Sequence, residues 1–66
     1  MKALKAWVAR DENGMLYLYL AKPLKFETTW MTAAIGAKFI QLDDELFPEI
    51  KWTDDEPTKV KIVIDK

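Results

Sequence analysis

The sequence predicts an all-β fold: a single small antiparallel sheet or partly closed barrel of five or six short strands, with one helical turn near residues 43–47. Two observations predict it. Apolar residues alternate with period two over several short stretches, and turn-forming residues separate those stretches at regular intervals. The stretch "TWMTAAIGAK", where a helix has most room to form, shows no stripe at the 3.6-residue helical period and is interrupted by Gly36. Short strands with regular turn signals pack as a small sheet or barrel.

The first strand is expected from about Ala3 to Arg10 and the second from Met15 to Ala21. Between them, Asp11-Glu12-Asn13-Gly14 suits a type I turn closed by a left-handed glycine bulge, because Asp favours the first turn position and Gly tolerates positive φ. That turn pairs Val8 with Leu18, Trp7 with Tyr19 and Ala9 with Tyr17. Leu4, Ala6, Val8, Leu16, Leu18 and Leu20 then share one face. Trp7, Ala9, Tyr17 and Tyr19 share the other, with Lys5 at its end. A two-residue Asn13-Gly14 turn is the competitor, and it would move Trp7 onto the leucine face, since a one-residue slip exchanges faces. The first register is preferred because it sorts aliphatic from aromatic side chains and uses Asp11.

Lys22-Pro23 ends the second strand, as Pro has no N–H to give a ladder. Leu24 to Met31 alternates again and reads as one strand, with Leu24, Phe26, Thr28 and Trp30 on one side. Residues 31–38 have no clear pattern, and Lys38 to Leu42 reads as another short strand. Asp43 is placed to cap the helical turn carrying Leu46 and Phe47, which Pro48 stops. Glu49 to Trp52 is expected to be extended, and Asp54, Asp55, Glu56 and Pro57 form a polar loop. The last strand, Thr58 to Asp65, carries Lys59 and Lys61 along one side, a pattern that guards an edge strand against aggregation.

The 66 residues form a single domain, 1–66, in which half the residues are hydrophobic and 32% are charged. A chain this short buries only about 60% of its unfolded surface, so every large apolar side chain counts. There is no Cys, His or Ser. Zinc sites of the usual kind and Cys–His or Ser–His nucleophiles are therefore excluded, no cofactor is implied, and the composition argues against an enzyme. The cysteine-free chain lacks an apolar run long enough for a membrane span and a signal-peptide core, which points to the cytoplasm and away from membranes.

Three surfaces are candidates for binding. Trp7, Tyr17 and Tyr19, with Lys5 and Arg10 nearby, form an aromatic face of several hundred Å². Phe47, Ile50 and Trp52 of the C-terminal half are its natural covers; where it stays open, it would take a protein partner or a second copy. Residues 42–58 hold seven acids against the single Lys51, and Asp54-Asp55-Glu56 is the densest acidic patch, suited to a basic partner. It lacks the ligand alternation and central Gly of a calcium loop. Aromatic residues beside basic ones also suit single-stranded nucleic acid stacked on a small β barrel, although the pI of about 5.3 argues against it.

The pattern W-x-A-R-D-x-x-G-x-L-x-L, then a Pro, a Trp, L-x-x-x-x-F-P-x-[VI]-x-W and E-P-x-x-V falls on Trp7, Ala9, Arg10, Asp11, Gly14, Leu16, Leu18, Pro23, Trp30, Leu42, Phe47, Pro48, Ile50, Trp52, Glu56, Pro57 and Val60. In this the chain resembles a family of small uncharacterised proteins of gut Bacteroidetes and their phages or mobile elements. The resemblance spans nearly the whole chain and implies a cytoplasmic accessory protein. It supplies no active site.

Overall fold

The Asp11–Gly14 turn organises the first half of the chain. In the computed structural model, which describes residues 2–32 and 36–64, the Gly14 amide donates to the Asp11 carbonyl at 2.9 Å and Asp11 N donates to the Met15 carbonyl at 2.9 Å. Gly14 has φ of +93°, the left-handed conformation that the bulge requires. Strands β1 (Lys2–Arg10) and β2 (Leu16–Tyr19) therefore pair in the expected register, with Trp7 opposite Tyr19 and Val8 opposite Leu18.

β2 also pairs with β5 (Phe39–Leu42), and β1 with β6 (Thr58–Ile64), giving an antiparallel sheet of order β5-β2-β1-β6. β3 (Leu24–Lys25) and β4 (Trp30–Met31) form a separate two-stranded sheet. The fold is all-β, but two expectations fail: the strands make two sheets instead of one, and the larger sheet stays open with no barrel. The expected last residue of the final strand, Asp65, lies outside the described residues, as does the centre of the unpatterned 31–38 stretch.

The split arises at Leu24–Met31, expected as one strand. Phe26 N donates to the Thr29 carbonyl at 2.8 Å, folding the segment into a hairpin. The Asp11 carboxylate fixes the far arm, accepting from Trp30 N at 2.9 Å and from Thr29 Oγ1 at 2.8 Å. Trp30 is thereby drawn inward while Leu24 and Phe26 stay exposed.

The helical turn near 43–47 is also absent, and no helix occurs among the described residues. Asp43 accepts from Glu45 N through its side chain and from Leu46 N through its carbonyl, which closes a turn. Phe47 then takes φ of +49°, incompatible with helix, and the carbonyls of Asp44, Leu46 and Phe47 turn toward the Arg10 guanidinium. Glu49–Trp52, expected to be extended, lies between and within two further turns, closed by Ile50 N on Phe47 O and Asp54 N on Lys51 O.

The core has one cluster on each face of the larger sheet. On the aliphatic face Ile50 covers Val8 and Leu16, with Leu18, Leu42 and Val60 around them. On the aromatic face Trp30 covers Ala9 and Tyr19, flanked by Tyr17 and Trp52. The expectation that Phe47, Ile50 and Trp52 together cover the aromatic face is corrected. Ile50 lies on the opposite face, Phe47 is exposed, and the principal cover is Trp30 from β4.

Candidate interaction surface

Tyr19 and Tyr17, two residues apart on β2, share a face, yet their surroundings differ. Tyr19 is buried, and its hydroxyl donates to the Trp30 carbonyl at 3.0 Å. Burial, the nearby Asp11 carboxylate and Tyr17 push its pKa up from 10.0 to about 12. Tyr17 is half-buried and meets Phe39 of β5 edge-on, with ring centroids 5.9 Å apart. Phe39 also lies 5.9 Å from the Tyr19 ring, and the two tyrosine rings are 6.2 Å apart. These separations are within the range of favourable aromatic pairs. The three rings form one cluster whose exposed end is Phe39, at 57%. A cleft of about 330 Å³ runs beside it, lined by Asp11, Tyr17, Phe39, Trp30 and Met31 among others.

The other residues singled out from the sequence are dispersed. Trp7 is half-buried beside Lys59, its partner on β6, and is separated from Phe39 by the width of β2. Lys5 is exposed and directly opposite Lys61. Arg10 lies on the aliphatic side, because it pairs with Leu16. Its five N–H donors all bond within the fold, Nε to Ile50 O at 2.7 Å, Nη1 to Gly14 O and Asp44 O, and Nη2 to Leu46 O and Phe47 O. A guanidinium has five donors, so none is left over for an external anion.

The acidic patch is likewise partly internal. Asp54 accepts from Lys51 N at 3.1 Å, Glu56 pairs with Lys22 at 3.6 Å across an exposed gap, and Asp55 is exposed. Lys25 bonds the Trp52 and Asp54 carbonyls with its ammonium 4.3 Å from the Trp52 ring centroid, tying the β3–β4 hairpin to this loop. Among the described residues no group of three or more acids is arranged to hold a metal ion.

Two features have no local signal in the sequence. Phe39 belongs to the aromatic cluster, and only the β2–β5 register, with Tyr19 opposite Phe39, reveals it. On the aliphatic face Ile50 covers one end of the sheet and leaves Leu4, Leu20 and Ile40 exposed at the other. With Leu18 and Ile62 they line an apolar hollow of about 200 Å³ that reaches Lys38 and Phe39. Exposed apolar side chains thus converge on β5 from both faces.

No family model matches the chain, and no curated protein or solved structure matches it. Among the described residues no helix is long and apolar enough to cross a membrane. The class defined by fold and surface is a small all-β domain with an exposed aromatic cluster.

Proposed function

We propose that this domain is a non-enzymatic interaction module that docks a protein at the β5 end of its larger sheet. One observation carries the reading: Phe39 and Ile40, successive residues of an edge strand, are each more than half exposed and point to opposite faces. Ile40 continues into the exposed Leu4 and Leu20 on one face and Phe39 into Tyr17 on the other, and exposed apolar patches of this kind mark interaction sites. A partner chain in extended conformation fits it, since an edge strand offers main-chain hydrogen bonds and the two faces select alternate side chains. The opposite edge, β6, presents Lys59 and Lys61 and is guarded against such pairing. The absence of cysteine supports a cytoplasmic setting. Nucleic-acid stacking is disfavoured, since the sheet is open, Tyr19 is buried and the Arg10 donors are engaged.

Co-purification from the native host tests the reading, with a nuclease-treated sample run alongside. Ile40→Lys should remove the bound protein while leaving thermal stability unchanged, and Lys59→Glu on the far edge should retain it. Retention of the same protein by the Ile40→Lys chain would refute docking at β5.

A further inference from the structure

The backbone of β5 alternates in direction. Leu20 N donates to the Lys38 carbonyl at 3.1 Å, so Lys38 directs its main-chain groups toward β2. In an antiparallel ladder the residues two and four further on, Ile40 and Leu42, do the same, as their pairing with Leu18 and Leu16 requires. The N–H and C=O groups of Phe39 and Gln41 therefore point away from the sheet.

We infer that the occupant of this edge is a second copy of the chain, added antiparallel about a two-fold axis through Gln41. Such an axis, perpendicular to the sheet, keeps like faces together, so only registers that pair odd with odd and even with even residues are allowed. Charge selects among them. With Gln41 opposite its own copy, Ile40 meets Leu42 within the paired strands, and Asp43 and Asp44, in the turn that follows the end of β5, lie toward Phe39 and Lys38 of the other copy, twice over by symmetry. A shift by one pair in one direction sets Lys38 against Leu42. A shift in the other sets Ile40 against Asp44. The Gln41-centred register sets Ile40 against Leu42 and brings Lys38 toward Asp44; it also sets Phe39 toward Asp43, and a shift by one pair either way loses the Lys38–Asp44 approach. Lys38 and Asp44 are both exposed, and the Asp44 carbonyl, not its carboxylate, is held by Arg10. On β6 the registers centred on Val60 and Lys61 set Lys59 against Lys61 or Lys61 against itself, which repels. The product is a continuous eight-stranded sheet in which each Ile40 side chain gains Leu42 of the other copy as a neighbour on the same face.

This inference rests on β5 being the docking edge, and its test separates the two. So short an interface is small, and dissociation constants of roughly 10 µM to 1 mM are expected. Sedimentation equilibrium of the full chain should show a monomer–dimer equilibrium in that range. Lys38→Asp alone and Asp44→Lys alone should each weaken it by roughly tenfold or more, since two ion pairs become two repulsions. An equal mixture of the two variants should restore association, because between unlike chains the side chains at positions 38 and 44 again carry opposite charges at both contacts. Gln41→Pro, which removes an outward N–H and leaves the β2 ladder intact, should give a monomer with near-normal thermal stability.

A monomer up to about 1 mM would overturn the second copy as occupant and leave heterologous docking at β5 standing. Dimers insensitive to Gln41→Pro would place self-association away from β5 and overturn the second copy as its occupant, while docking of another protein at β5 is decided by the Ile40→Lys co-purification. Dimers lost with Gln41→Pro but not restored by mixing would overturn the Gln41-centred register. Association beyond the dimer would overturn the closed two-fold arrangement.

Discussion

Arg10→Met removes the guanidinium and keeps an unbranched apolar stem against the sheet. Two of its five hydrogen bonds, to the carbonyls of Ile50 and Gly14, are partly buried, and the other three acceptors are exposed. Exposed carbonyls rebond to water at little cost, so the loss is set by the two protected bonds. A hydrogen bond from a charged donor contributes about 1.5–3 kcal/mol, which puts the variant at roughly 3 kcal/mol or more. A domain of this length has about 3–10 kcal/mol in total, so the substitution removes a large share of it. At roughly 4–8 °C per kcal/mol, Tm should fall by about 12–24 °C. Arg10→Lys should fall between the two, because one ammonium cannot span acceptors on both the Gly14 turn and the 44–50 loop. Circular dichroism gives the stability, and amide exchange at Ile50 gives the local signature, since its N–H bonds Phe47 O in the loop that Arg10 holds. An Arg10→Met chain within about 0.5 kcal/mol of the parent would refute a central role for this side chain.

Alkaline denaturation should expose Tyr19. Its pKa is raised to about 12 in the fold, so the unfolded chain ionises first; stability is intact below about pH 10 and falls as pH rises toward 12. The shift corresponds to about 2–3 kcal/mol, and Tyr19→Phe should remove most of this pH dependence in equilibrium unfolding. Tyr19→Ala should cost about 3–5 kcal/mol and Tyr17→Ala, half-buried, clearly less, as read from urea midpoints. Gly14→Ala should cost about 1 kcal/mol through its φ of +93° alone, because an added Cβ meets no atom within 4 Å. Lys61→Thr should stabilise by a few tenths of a kcal/mol by relieving the repulsion from Lys5, a gain that shrinks in high salt.

Features that depend on neighbours along the chain are legible in the sequence. Asp11, Asn13 and Gly14 specify their turn through local hydrogen bonds and one positive φ, and that turn dictates the β1–β2 register and hence which side chains share a face. The alternating lysines of β6 mark it as an edge for the same local reason. What lies over each face is settled by long-range contacts alone, because period-two alternation says which residues are together and not what they meet. Leu24 to Met31 alternates equally well as one strand or as two arms of a hairpin. Asp11 selects the hairpin by bonding Trp30 from 19 residues away. Asp43 to Phe47 carries a helix-capping sequence, yet Arg10 draws the carbonyls of Asp44, Leu46 and Phe47 to itself, and Phe47 takes a positive φ. The same guanidinium bonds Ile50 O from 40 residues away, on the aliphatic face where Ile50 packs, and the aromatic face is left to Trp30. Phe39 joins the aromatic cluster only through a pairing between strands 20 residues apart in sequence, from Tyr19 to Phe39. In each case a single polar side chain or one strand pairing, distant in sequence, outweighs a local preference worth about 1 kcal/mol or less.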